Sequence, residues 1–276
     1  MIEAITKYQF LQKAILASLL TSIVAGIIGV IIVQKKLVMM TGGIAHTTYG
    51  GVGLGYLLGI EPILGGFLFA IGAAFGIGYL KRKGGVDTDI LIALFWSLGM
   101  AAGVAFIGFM PGYPPDITSY LFGNILSVTW FDLIMMGALT IIVTLSILVF
   151  LVDWKTYLFD SEFAYVRGMK TGFMEYWLLI LVALTVVVLI RAAGIMLVIS
   201  MLTAPAASAR QLSKKFSVNI ALAIGFGVVY CLIGLALSYI LNIASGATII
   251  AVSVLGFCLC MAGGKIFKRK TLSASL

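Results

Sequence analysis

Histidine occurs once in 276 residues, cysteine three times and proline five times, and charged side chains make up only 10 % of the chain. One histidine cannot build the H-E-x-x-H site of a zinc protease, which needs two. Cys231, Cys258 and Cys260 lie within apolar runs and form no C-x-x-C. On a helix, Cys258 and Cys260 point in nearly opposite directions, so the three read as small packing residues. No G-x-x-x-x-G-K-[ST] loop is present. The nearest fragment, "GGKIF" at 263–267, fails in spacing and lacks the hydroxyl, which excludes ATP binding by that device. Asp87, Asp89, Asp116, Asp132, Asp153 and Asp160 all fall at helix ends or in loops. No intramembrane aspartyl pair is available, and the chain reads as no enzyme.

What is present is apolar. Hydrophobic residues reach 62 % and mean hydropathy is +1.18, whereas soluble domains carry roughly a quarter charged residues. The chain is therefore expected to be an all-α polytopic membrane protein, a single transmembrane domain over residues 1–276 in the cell membrane. The net charge of +8 raises nucleic acid as a partner. Its distribution argues against that, since fifteen of the eighteen basic residues fall in five clusters between or after apolar stretches. These are Lys35-Lys36; Lys81-Arg82-Lys83; Lys155, Arg167 and Lys170; Arg210, Lys214 and Lys215; and Lys265, Lys268, Arg269 and Lys270. Such clusters mark cytoplasmic loops.

A span needs about 20 apolar residues. The clear runs are 14–33, 37–59, 62–80, 88–109, 130–152, 218–241 and 247–264. The first ends at Lys35-Lys36, as a retained helix does rather than a signal peptide. Cytoplasmic clusters must be separated by even numbers of crossings, which places the N-terminus outside and the C-terminus inside. Between Lys170 and Arg210, Arg191 divides the apolar residues into 176–190 and 192–204. Each is short for a full span, so the segment is expected to be a broken, half-crossing pair lining a cavity. That gives nine helices. One long tilted helix with Arg191 snorkelling would give eight, but it violates the parity. Glycines four apart, at Gly51, Gly55 and Gly59, Gly72 and Gly76, and Gly99 and Gly103, predict close helix packing.

Two polar segments lie between spans. "PGYPPDITSYLFGNIL", 111–126, sits on the outer side within the 110–129 connection. Its prolines bar a continuous helix at 111–115, and Asp116 can cap a short helix to Leu126. It reads either as a connecting loop or as a lid or docking surface. "APAASARQLSKKF", 204–216, sits on the inner side. Pro205 suits a first helical turn, Arg210, Lys214 and Lys215 form a polar face, and Leu212 and Phe216 an apolar edge. This short amphipathic helix fits a groove on a soluble partner or an anionic lipid surface about equally. The single histidine stands in "GGIAHTTYGG", 42–51, in the second crossing. An ionisable side chain there is either a functional group or a hydrogen-bonded packing residue.

Six ordered blocks carry a resemblance: "KKLVMMTGGIAHTTYGGVGLGYLLG" (35–59), "DTDILIALFWSLGMAAGV" (87–104), "PGYPPDITSYLFGNILSV" (111–128), "DSEFAYVRGMK" (160–170), "GIMLVISMLTAPAASARQL" (194–212) and "ASGATIIAVSVL" (244–255). Together they resemble the permease subunit of zinc/manganese ABC importers, relatives of the vitamin B12 and siderophore permeases. The resemblance implies a homodimer around a translocation path, a cytoplasmic ATPase pair that binds the ATP, and an external metal-binding protein. It makes 205–216 the coupling helix, with Pro205, Ala206, Arg210, Lys214 and Lys215 facing the ATPase. It also turns 111–128 and Asn242–Gly246 toward the delivery protein. His46, Thr47 and Tyr49 would line the path, with Thr48 beside them and His46 a transient metal ligand. No cofactor is implied beyond the transported ion, Zn²⁺ first and Mn²⁺ next.

Two departures stand out. The family motif usually has an aspartate four residues before the histidine, where this chain has Gly42. Some relatives carry a second histidine where Phe95-Trp96 stand here. One imidazole per subunit falls short of the four ligands of a resting zinc site, yet a conducting site must be weak enough to release its ion. A metal chelate or cobalamin as cargo, a stand-alone secondary transporter and an intramembrane enzyme are the competing readings. The last two need relay residues or a nucleophile–base pair that the chain barely offers.

Overall fold

Backbone N–H and C=O groups in hydrocarbon must be satisfied within their own segment, so apolar runs of this length become helices. The computed structural model describes residues 8–111, 123 and 125–273. The helices are α1 (Gln9–Lys35), α2 (Val38–Leu58), α3 (Pro62–Gly84), α4 (Thr88–Gly108), α5 (Trp130–Val149), α6 (Leu151–Phe159), α7 (Ser161–Val166), α8 (Thr171–Ala193), α9 (Ile195–Leu212), α10 (Phe216–Leu241) and α11 (Ser245–Ser273). A 3-10 turn at Ile125–Ser127 precedes α5. Of the outer segment, residues 112–122 and 124 lie outside the described residues, and with them the expected helix from Asp116.

Among the described residues, eight helices are long and apolar enough to cross a membrane: α1, α3, α4, α5, α8, α9, α10 and α11. The remaining long one, α2, has 21 residues but carries His46, three threonines and six glycines. It is buried without interruption from residue 40 to residue 53. A helix this polar is tolerated at membrane depth because protein rather than lipid surrounds it. α3 and α4 flank it, and α8 and α9 close its remaining sides. α1 packs on α5, α9 and α10, while α11 lies outermost against α9 and α10. The apolar window of α1 is 72 % buried and that of α11 only 17 %, which separates the centre of the bundle from its rim.

The expected half-crossing pair takes a different form. Both segments are full helices, of 23 and 18 residues, and they meet at Gly194 rather than at Arg191. Gly194 adopts φ 77° and ψ 161°, a conformation open essentially to glycine alone. Gly123 abuts this turn so closely that a β-carbon on it would overlap the Ala193–Gly194 peptide. Arg191 does not interrupt a span. It sits at the end of α8, paired with Glu61 and Asp132. Two helices long and apolar enough to span a membrane therefore lie between Lys170 and Arg210, α8 running to the Glu61 end of the bundle and α9 returning.

The amphipathic segment also differs from expectation. Residues 205–212 form the last two turns of α9, with Pro205 inside the helix. Pro205 lacks an N–H, so the Met201 carbonyl loses its helical donor, but the helix continues. It ends at Ser213, and the short link to Phe216 is not helical. Of the cysteines, Cys231 is buried as expected, whereas Cys258 is exposed on α11.

Candidate functional site

His46 projects from the buried helix toward α4. Its imidazole stacks on the indole of Trp96, with ring centroids 4.1 Å apart and planes 9° from parallel. The residue is 5 % exposed, and its Nδ1 is buried without a hydrogen-bond partner among the described residues. Thr47, one position on, has its hydroxyl within reach of the Gly43 carbonyl (2.7 Å) and, across the helix gap, of the Phe95 carbonyl (3.0 Å). Thr48 donates to the Ile44 carbonyl at 2.7 Å. Tyr49 is buried with its ring against Gly103. All three predicted path residues, His46, Thr47 and Tyr49, thus meet α4. The Thr47 hydroxyl is engaged in the contact between the two helices.

Glycine makes this approach possible. A β-carbon on Gly50 would stand 2.7 Å from the Gly99 carbonyl oxygen, and one on Gly53 would stand 2.8 Å from that of Gly103. No atom of another helix could approach so closely past a larger side chain. A β-carbon at position 42 would lie in ordinary contact, 3.5 Å from the Trp96 ring and 3.9 Å from Ile199 on α9. The indole closes the space that a longer side chain at 42 would enter, so Gly42 and Trp96 are complementary departures. Among the described residues, no group of three or more His, Cys, Asp or Glu side chains could hold a metal ion.

The two ends of the bundle are electrostatically distinct. At one, Arg191 binds Glu61 through Nη1 and Asp132 through Nε, both at 2.6 Å, and its guanidinium lies 5.5 Å from the centroid of Phe131. Asp132 also closes a capping box, its Oδ2 accepting from the Thr129 amide and hydroxyl at 2.9 and 2.6 Å. This three-helix clamp was not legible in the sequence, where its members lie 59 to 130 residues apart and only the isolated Arg191 gave a signal.

At the other end, Glu175 takes Lys81 at 2.8 Å and Arg82 at 3.3 Å. Lys35 donates to the Tyr157 carbonyl at 2.7 Å and lies over its ring. These groups line a cavity of about 480 Å³. Burial, assisted by the Glu175 carboxylate and opposed by Arg82, pushes the Tyr157 hydroxyl up to about 12. The residues assigned to coupling divide here. Pro205 and Ala206 are buried, Ala206 beside Gly29 of α1. Arg210, Gln211, Leu212, Lys214 and Lys215 are exposed.

A family model described as the ABC 3 transport family matches residues 7–264. The chain is 39 % identical to an uncharacterised membrane protein of Synechocystis sp., over 95 % of this chain and 94 % of that one. It is 36 % identical to the manganese transport system membrane protein MntC of Listeria monocytogenes, over 93 % and 91 %. Among solved structures it resembles PsaBC of Streptococcus pneumoniae in complex with Fab, with a TM-score of 0.84 and 30 % identity over 94 % of this chain and 93 % of that chain.

Proposed function

Since the chain belongs to the ABC 3 transport family, as the membrane permease of a metal-importing ABC system whose ATPase is a separate subunit, we propose that its cargo is Mn²⁺ rather than Zn²⁺. This reverses the order that the sequence suggested. The Listeria relative is named for manganese, and the chemistry at α2 points the same way. One imidazole among hydroxyls and carbonyls, with no thiolate and no carboxylate, suits a partly hydrated hard ion better than zinc.

The observation that carries the reading is α2 itself, a polar helix buried from residue 40 to residue 53 at the centre of an apolar bundle. Polar groups at such depth mark ion pathways. In this state the path is shut, because Trp96 covers His46. Opening moves α4 relative to α2, which frees the Thr47 hydroxyl and lets the imidazole replace one water of the ion. A second copy of the chain completes the path. The end carrying Lys35, Lys81, Arg82 and Arg210 faces the cytoplasm, as basic loops do, leaving the N-terminus outside and the C-terminus inside. The ATPase docks on Arg210, Gln211, Leu212, Lys214 and Lys215, and the delivery protein docks at the Glu61 end.

The test is radiolabelled Mn²⁺ uptake by proteoliposomes holding the permease, its ATPase and its delivery protein. Uptake is expected to require ATP, and a tenfold excess of unlabelled Zn²⁺ is expected to compete less well than the same excess of Mn²⁺. Equal or stronger competition by Zn²⁺ would return zinc to first place.

A further inference from the structure

The two short helices at the basic end, α6 and α7, are held firmly from beneath. Trp154, Tyr157, Leu158 and Ala164 are buried, and Lys35 donates to the Tyr157 carbonyl at 2.7 Å. Asp160 caps α7, accepting from the Glu162 and Phe163 amides at 2.9 and 3.0 Å. This anchored frame turns two phenylalanines outward, Phe159 at 90 % exposure and Phe163 at 53 %. They line a groove of about 620 Å³ together with Phe216 and Val218 at the start of α10. Aromatic rings presented from a fixed frame mark a contact surface. The groove is also basic. Lys155, Lys214 and Lys215 line it, all exposed and none in an ion pair among the described residues. No carboxylate lines it.

Either an anionic leaflet or a protein would cover such a groove. Across 151–170, Lys155, Arg167 and Lys170 are matched by Asp153, Asp160 and Glu162. The segment as a whole therefore has no net attraction to anionic lipid, and the unbalanced charge lies in the groove itself. Continuity points to the occupant. Lys214 and Lys215 belong both to the groove and to the exposed turn between α9 and α10 on which the ATPase docks. We propose that the groove is the second half of that docking surface and receives a segment of the ATPase that carries apolar side chains flanked by carboxylates. The inference rests on the reading that the ATPase docks at the α9–α10 turn. It adds α6 and α7 to the elements that the ATPase grips, and through the Lys35–Tyr157 contact it adds the end of α1.

Permease in nanodiscs of phosphatidylglycerol and phosphatidylethanolamine, titrated with its ATPase, tests this through the dissociation constant. Phe159→Ser combined with Phe163→Ser, both at exposed positions, is expected to raise the constant about tenfold or more. Lys155→Glu should raise it and flatten its dependence on salt. Val152→Ser, 70 % exposed on α6 but outside the groove, should leave it unchanged. Arg210→Glu reports the α9–α10 turn by itself. If it weakens binding while the double phenylalanine variant binds as the wild type does, the groove is overturned and the docking reading stands. Wild-type affinity in both overturns the docking reading as well. Equal weakening by Val152→Ser overturns the groove as a specific site. Benzoylphenylalanine placed at position 159 then identifies the occupant. Illumination is expected to give an adduct with the ATPase, and an adduct with lipid or with a second permease chain in its place overturns the assignment.

Discussion

At the scale of single residues, the central pair is His46 and Trp96. The stack buries the one imidazole of the chain, and the indole that covers it lies 3.5 Å from where a β-carbon on Gly42 would stand. Trp96→Ala should therefore uncover His46. Because histidine occurs once, labelling by diethyl pyrocarbonate can be read on the peptide carrying residue 46, and it is expected to rise several-fold in the variant. Equal labelling would mean that the indole is not the cover. The sequence raised the question of His46 and marked Phe95-Trp96 as a departure, but not that the two departures touch. Positions 42 and 96 meet only because glycines at 50, 53, 99 and 103 bring α2 and α4 together. Arg191 shows the same limit. Its apolar neighbours suggested a break within the membrane, whereas its carboxylate partners come from 130 and 59 residues away.

At the scale of elements, the nine long helices were legible because apolar length and the parity of basic clusters act independently. Parity required α2 as a crossing even though its glycines, threonines and histidine keep it below the hydropathy of the other eight. What could not be read was the identity of the turn between α8 and α9. Gly194 looks like many glycines in the chain until its positive φ is seen. The expected separate helix over 205–216 merges with α9 for a related reason: Pro205 suits a first turn, but packing of Ala206 on α1 carries α9 straight through it. Glycine spacing was likewise a partial guide. Gly76 meets the Phe95 ring, while a β-carbon on Gly72 meets nothing within 4 Å.

Two predictions follow from these contacts. Gly50→Leu should destabilise the bundle by about 1–3 kcal/mol through overpacking against α4, whereas Gly72→Ala should not. Thermal inactivation in detergent compares them, and equal midpoints would contradict the α2–α4 contact. Arg191→Met leaves Asp132, itself 6 % exposed, without its cation. Hydrogen bonds to charged groups contribute about 1.5–3 kcal/mol, and the partial exposure of Arg191 places the expected loss near the lower figure. Asp132→Asn in the same background should recover part of it. No recovery would show that the clamp is not what Arg191 supplies.

At the scale of the whole molecule, one end of the bundle carries an excess of basic side chains, of which Lys81 and Arg82 are paired with Glu175, and the other a neutralised clamp. In the proposed orientation the ATPase acts on the first end, and its motion must reach α2. Arg210→Glu reverses a charge on the exposed tip of α9 while leaving the buried Pro205 and Ala206 in place. It is expected to abolish ATP-driven uptake, and ATP hydrolysis by the complex should no longer respond to the loaded delivery protein. Retained coupling would move the docking surface elsewhere on the basic end. Removing the imidazole bears most directly on the path itself. In proteoliposomes with the complete complex, His46→Ala should lower the initial rate of Mn²⁺ uptake by about tenfold or more, the effect of losing one charge-assisted contact or metal ligand, with assembly unchanged. Uptake at the wild-type rate would contradict the account and return His46 to the role of a packing residue beneath Trp96.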